Sequence, residues 1–146
     1  MSKLEQIGNQ TVFNFMGQPY NVTQTESGID VAEGVTCDTY AVEGYEDVWD
    51  LGIIHIAPEC QTPKQLVVAG TRTFEGIVEG YGEFEVHRFQ GVDPEVSQVD
   101  AEDDDTYMRV VYVGDSMQWR AGVQGLVAYE VCWPPYQEGR FENLPA

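Results

Sequence analysis

Short runs of β-forming residues, each closed by glycine, proline or an acidic cluster, constrain this chain more than any other feature. Val occurs 19 times, Ile 6 and Thr 9, against 5 Leu and 8 Ala, a ratio that suits a pleated surface better than a helix. Candidate strands fall at residues 10–15, 20–25, 34–42, 48–57, 65–69, 71–78, 82–89, 107–113 and 125–133. Strands of this length with close turns predict an all-β antiparallel sandwich or barrel with little helix. No segment sustains a helical period, and residues 2–7 are expected to make at most one helical turn.

Alternation within the runs assigns faces. In 71–78, Thr73, Glu75 and Ile77 share one side, and Arg72, Phe74, Gly76 and Val78 share the other. In 125–133, Val127, Tyr129, Val131 and Trp133 share a side, after which Pro134 and Pro135 force the chain out of the sheet. The stretch 91–106, with Pro94 and the acidic residues Asp100, Glu102, Asp103, Asp104 and Asp105, is expected to be a solvated loop between strands. Calcium binding there is disfavoured, because the alternating Asp-x-Asp-x-Asp-Gly spacing and the downstream bidentate Glu are missing.

At 146 residues the chain predicts one domain over 1–146, with N-terminal strands or an arm at 1–44 and a core at 45–142. Seven Lys and Arg stand against 25 Asp and Glu, a formal charge of −18. Such a chain repels phosphate backbones and anionic membranes, so neither nucleic acid nor membrane is an expected partner. The charge fits an acidic, hydrated surface, either ordinary solubilising bias or adaptation to salt; 3 Trp, 8 Tyr and 6 Phe are incompatible with a disordered tail. No apolar run is long enough to span a membrane, and the start lacks the apolar stretch of a secretion signal. Cys37, Cys60 and Cys132 are odd in number and widely spaced, so they are expected to be reduced and packed, in a cytoplasmic protein.

The segment from Trp49 to Val86 resembles the first half of a cupin domain, a small antiparallel jelly-roll barrel. Pro58-Glu59 stands where that family has Pro-Gly, Thr62-Pro63 matches its Thr-Pro, and Ile77-Val78-Glu79-Gly80-Tyr81-Gly82 matches its turn signature. The stretch from Met108 to Trp133 is similar to the second half, with Val113-Gly114-Asp115 at the second turn. The resemblance implies that the turn glycines form a hairpin corner. It also implies a divalent metal held by two His and one Glu from the first half and one His from the second. Counted from the matched residues, those positions fall on Gln65, Val67, Thr73 and Met117. A carbonyl, a valine, a hydroxyl and a thioether do not hold such a cation, so no cofactor or metal is expected there.

Two replacements for the lost site are open. His55, Glu75 and Gln65 could form an atypical metal site, or Glu75, buried with a raised pKa, could act as a general base in an isomerase or epimerase. Against these, His55 could be a hydrogen-bonded barrel histidine, Glu75 could pair with Arg109 or Arg120, and His87 is expected on a wet face beside Glu83 and Glu85. A barrel without metal still encloses a pocket. Gln65, Thr73, Glu75, Tyr112, Met117, Trp119 and His55 are the candidate ligand-binding residues, with Tyr129 a further one. The leading expectation is a metal-free cupin-like protein binding a small molecule, sugar-like ligands among the candidates. The family resemblance also implies a homodimer, with the N-terminal 45 residues able to supply an exchanged strand.

Overall fold

The computed structural model describes residues 3–145. Eleven strands run in chain order: β1 (Leu4–Ile7), β2 (Gln10–Phe15), β3 (Gln18–Ala32), β4 (Val35–Val42), β5 (Asp50–Ile56), β6 (Gln65–Val67), β7 (Arg72–His87), β8 (Glu95–Asp100), β9 (Met108–Tyr112), β10 (Ser116–Trp133) and β11 (Phe141–Asn143). All pairings among them are antiparallel. No helix occurs among the described residues, as a chain rich in β-branched residues requires.

Two long strands organise the sheets. β7 and β10 pair along most of their length, with register shifts between Ala121/Leu126 and Val127/Ala128. On one side of that irregularity they belong to a sheet ordered β1-β2-β3-β4-β5-β10-β7-β9; on the other they belong to a sheet ordered β11-β6-β10-β7-β8. The result is a jelly roll in which hydrogen bonding does not close into a ring. The expected barrel is thus a two-sheet sandwich with shared, bent strands.

The bend accounts for the glycine signature differently from a hairpin corner. Gly80 and Gly82 both lie inside β7, not at a turn between two strands. Gly80 has φ 84°, and a Cβ there would stand 2.4 Å from the Gly125 carbonyl oxygen. Gly125, at φ 82°, supplies the matching kink on β10. Two backbones cross here too closely for side chains, and only glycine tolerates both the approach and the positive φ.

Two apolar layers follow. The inner one lies between the sheets and includes Ile54, Ile56, Val67, Ile77, Phe84, Val86, Met117, Trp119 and Ala128. The outer one lies where β1–β3 fold back over the other face of β5, β10 and β7. There Phe13, Phe15, Trp49, Leu51, Phe74, Tyr129 and Val131 pack together, with Phe13 edge-on to Tyr129 at 5.2 Å. The C-terminal half of β10 is therefore buried on both faces. The alternation expected for 71–78 is met, with Ile77 in the inner layer and Phe74 in the outer.

Two local expectations are corrected. Leu4–Ile7 is a strand, not a helical turn, because pairing with β2 outweighs local preference; Ser2 lies outside the described residues. The acidic stretch 91–106 contains β8, whose residues Glu95–Asp100 pair with β7. An edge strand with one wet face carries polar residues, which made it read as a loop. Among the described residues no helix is long and apolar enough to cross a membrane.

Candidate functional site

The inner face of the larger sheet is a lattice of register partners. One row runs Thr39, Gly52, Glu130, Glu75 and Arg109 across β4, β5, β10, β7 and β9. The next runs Ala41, Asp50, Cys132, Thr73 and Val111, and the row on the other side runs Cys37, Ile54, Ala128 and Ile77. Side chains in a row are neighbours, roughly 4.5–5.5 Å apart at Cβ. Gly52 contributes none, and a Cβ there would meet Cys37 Sγ at 3.3 Å; a cavity of about 430 Å3 lies along this face, beside Gly52 and Glu130. Its wall includes Cys37, Asp50, Glu130 and Cys132 from the larger sheet, Thr62 and Gln65 from the facing side, and Tyr136 and Phe141.

Glu75 sits behind this wall, fully buried. Its Oε1 accepts the Trp119 indole Nε1–H at 3.0 Å, and its Oε2 receives no donor. The group it meets is the Glu130 carboxyl, and two carboxyl groups in contact bond only by sharing a proton. Burial, followed by the charge of Glu130 and that contact, pushes the Glu75 pKa well above the usual carboxylate range. The arginines proposed as partners are engaged elsewhere. Arg109 turns to Glu95 and to Ser97, and Arg120 pairs with Glu83 and Glu85.

At the wall itself, Asp50 Oδ2 accepts the Tyr136 N–H at 3.0 Å. Burial raises its pKa to about 6 against that hydrogen bond, with the Glu130 charge adding to the rise. The Cys132 thiol donates to Glu130 Oε1 at 3.4 Å, and burial with the surrounding carboxylates pushes both Cys132 and Cys37 up, Cys37 to about 12. Both are thiols at neutral pH, weak nucleophiles that serve as packing. All three cysteines are free.

The expected site residues divide. Gln65 lines the cavity, its Nε2 donating to Asn143 Oδ1 at 3.2 Å, and it is the register partner of Met117. Thr73, Met117 and Trp119 are buried in the core and, contrary to expectation, do not line the cavity. His55 is not part of this group. It lies on the opposite face of β5 from Gly52 and Ile54, with its side chain 46% exposed and Nε2 3.0 Å from Asp38 Oδ2. A site shared by His55 and Glu75 is excluded by that placement. Tyr112 is 51% exposed at the end of β9. Tyr129 is buried, but in the outer layer. His87 is exposed, as expected, with Nε2 3.0 Å from the Gly91 carbonyl.

Sequence reasoning missed Asp50, Glu130, Cys37 and Cys132. The signal for Glu130 was present: it lies between Tyr129 and Val131 in an apolar strand, opposite the face that was singled out. Thr62 is structural, its Oγ1 accepting the Trp119 backbone N–H at 2.9 Å. The Thr62-Pro63 motif thus fastens the 58–63 segment to β10.

The four positions where metal-binding cupins carry donors hold Gln65, Val67, Thr73 and Met117, of which Val67, Thr73 and Met117 are buried. Among the described residues no three His, Cys, Asp or Glu side chains are grouped to hold a metal ion. This donor set does not fit the metal of the fold's metal-binding members.

Neither a family model nor a curated protein matches the sequence. Solved structures do match the fold. The capsular polysaccharide assembling protein CapF from Staphylococcus aureus superposes with a TM-score of 0.64 at 8% identity, over 86% of this chain and 34% of that one. A further CapF structure contains the inhibitor 3-isopropenyl-tropolone. Bacillus subtilis oxalate decarboxylase, with Mn(II) centres, superposes with a TM-score of 0.65 at 12% identity, over 82% of this chain and 30% of that one. Streptomyces PAC13, as a variant with uridine, matches with a TM-score of 0.56 at 10% identity, over 85% of each chain. The chain spans about a third of the length of CapF and of the decarboxylase. The likeness is one of fold alone: this chain has the antiparallel jelly-roll architecture of cupin-fold proteins.

Proposed function

We propose that this protein binds a small polar organic molecule in the cavity between its sheets, without a metal ion at the position where other cupins hold one. The observation that carries this reading is the cavity of about 430 Å3 beside Gly52, lined by Gln65, Asp50 and Glu130 and by apolar side chains. Its size lies within the ~300–1,000 Å3 range of small-molecule pockets, and its few directed polar groups on an apolar wall are the usual means of orienting a ligand. Two fold neighbours have structures with organic molecules, CapF with 3-isopropenyl-tropolone and PAC13 with uridine, which supports a small-molecule reading for this fold.

Metal analysis of the purified protein together with ligand-observed NMR against a library of small polar compounds tests it. Library members are expected to bind the wild type and not a Gly52→Val variant, whose side chain fills the opening. Stoichiometric iron, manganese, zinc or nickel, or no binding from any class of compound, would overturn it.

One observation favours a second, enzymatic reading. The contact between Glu75 and Glu130 sets a proton reservoir behind a wall carboxyl, the arrangement an isomerase or epimerase needs for acid–base work. In that case Glu130 meets the substrate and Glu75 acts through it, because Glu75 does not line the cavity. Exchange of a bound ligand's C–H for deuterium, lost in Glu130→Gln, is the expected signature.

A further inference from the structure

We infer that the occupant of this cavity carries positive charge: an organic ammonium compound with an apolar body, its ammonium seated between Asp50 and Glu130. The inference rests on the binding reading above and names the ligand's chemistry. Two acidic side chains of the cavity face line it, Asp50 and Glu130, and no Lys, Arg or His does; Asp30 at its edge is exposed, in the row of Thr36 and His55 on the other face. The nearby Arg140 is committed to backbone, donating to the carbonyl oxygens of Pro134, Arg72 and Trp133.

A second observation is independent of that lining. Glu75 is fully buried, no Lys, Arg or His among the described residues pairs with it, and its carboxyl abuts Glu130 from behind. A buried carboxyl pair so placed favours a proton or positive charge at this point of the wall. The number of acids then selects the kind of cation. Asp50 and Glu130 lie diagonally across Gly52, on adjacent strands, close enough for both carboxylates to reach one group between them. Two carboxylates fall short of the roughly six to eight oxygens a hard metal ion gathers, and among the described residues no three His, Cys, Asp or Glu side chains are grouped to hold one. An ammonium group with three diverging N–H donors can reach toward both. Ile29, Val31, Ile54 and Phe141 supply apolar wall for the rest of the molecule, and the Tyr136 ring stacks on Phe141 at 5.9 Å. The net charge of −18 raises the local concentration of such cations.

Isothermal titration with isosteric pairs tests the charge. The probes are cyclohexylammonium against cyclohexanol and benzylammonium against benzyl alcohol, with D-glucose as a neutral sugar. The proteins are the wild type, Glu130→Gln and Gly52→Val, each checked for folding by circular dichroism. The ammonium probes are expected to bind wild type at least about tenfold tighter than their neutral isosteres, a difference of about 1.4 kcal/mol. That preference should fall at least about fivefold in Glu130→Gln, where the side chain keeps its shape and loses its charge. Gly52→Val should lose both classes. Neutral probes binding as well as the ammonium ones, or an ammonium preference unchanged in Glu130→Gln, would overturn the inference while leaving the cavity reading in place. Failure of ammonium, alcohol and sugar alike would overturn both.

Discussion

The Trp119 indole and the Glu75 carboxyl come from different sheets and meet inside the core, Nε1 donating to Oε1 at 3.0 Å. This bond ties the two halves of the sandwich behind the cavity wall, and it is the one N–H donor Glu75 has among the described residues. Trp119→Phe keeps most of the packing against Phe84, whose ring lies 4.3 Å away, but removes the donor. A buried acceptor left unmet costs about 1–3 kcal/mol, so the urea midpoint at neutral pH should fall by the equivalent amount. In a Glu75→Gln background, where the acceptor is a weaker, neutral amide oxygen, the same substitution should cost less.

Acid–base linkage gives an expected pH profile. Burial raises the pKa of Asp50 from 3.8 to about 6 and that of Glu75 well above the carboxylate range. Between unfolded and folded values the folded chain binds more protons than the unfolded one. Stability is therefore fully present below the unfolded pKa and is lost as pH rises through the folded value. For Asp50 the loss lies between 3.8 and about 6; for Glu75 it extends higher. Glu83, Glu85 and Glu95 have lowered values, so their contribution is lost in the opposite direction, as pH falls. Denaturant titrations should place the stability maximum on the mildly acid side of neutrality. Asp50→Asn should flatten the decline up to about pH 6, and Glu75→Gln should flatten the part above it. A profile that rises steadily to pH ~8 in the wild type contradicts this assignment.

Asp115 clasps the second turn. Its Oδ1 accepts the Phe89 N–H at 2.8 Å, and its Oδ2 accepts the Tyr112 N–H at 3.0 Å and Arg88 Nη1 at 2.9 Å. Asp115→Ala strands the two backbone donors and takes one partner from Arg88, which keeps the Val110 carbonyl and Glu95, and should cost about 3–4 kcal/mol. Thermal unfolding should then drop by about 8–15 °C. Asp115→Asn can still accept from both backbone groups but not neutralise Arg88, and should lie between.

Glycine positions separate close approach from conformation. A Cβ at Gly76 would stand 2.2 Å from Tyr129 Cζ, and one at Gly80 would meet the Gly125 oxygen at 2.4 Å. Gly8 also has positive φ, at +62°, but nothing within 4 Å. Alanine at Gly76 or Gly80 should destabilise by at least about 2 kcal/mol, and at Gly8 by about 1 kcal/mol. Equal losses at Gly8 and Gly80, measured by equilibrium unfolding, would remove the steric account of the β7–β10 crossing.

Strand identity and one buried carboxylate were legible in the sequence for a local reason. The period-two pattern of Thr73, Glu75 and Ile77 needs no distant partner to be read, and it placed Glu75 on the inner face where it lies. The same rule fell short for β10. Both faces of its second half are apolar, so alternation divided Tyr129 from Glu130 but did not say which faces the cavity. β8 was hidden because it borrows its order from β7 through backbone pairing that leaves no mark on side-chain polarity.

The residue alphabet alone determined that this chain forms antiparallel sheets, since β-branched and aromatic side chains suit a pleated surface position by position. Tertiary structure decided which polar side chains meet inside them. Asp50, Gly52, Glu75 and Glu130 come from three strands spread over 80 residues of chain and become neighbours only through β-ladder register. Register is set by turn geometry and by burial of both apolar layers together, a balance that no single segment carries.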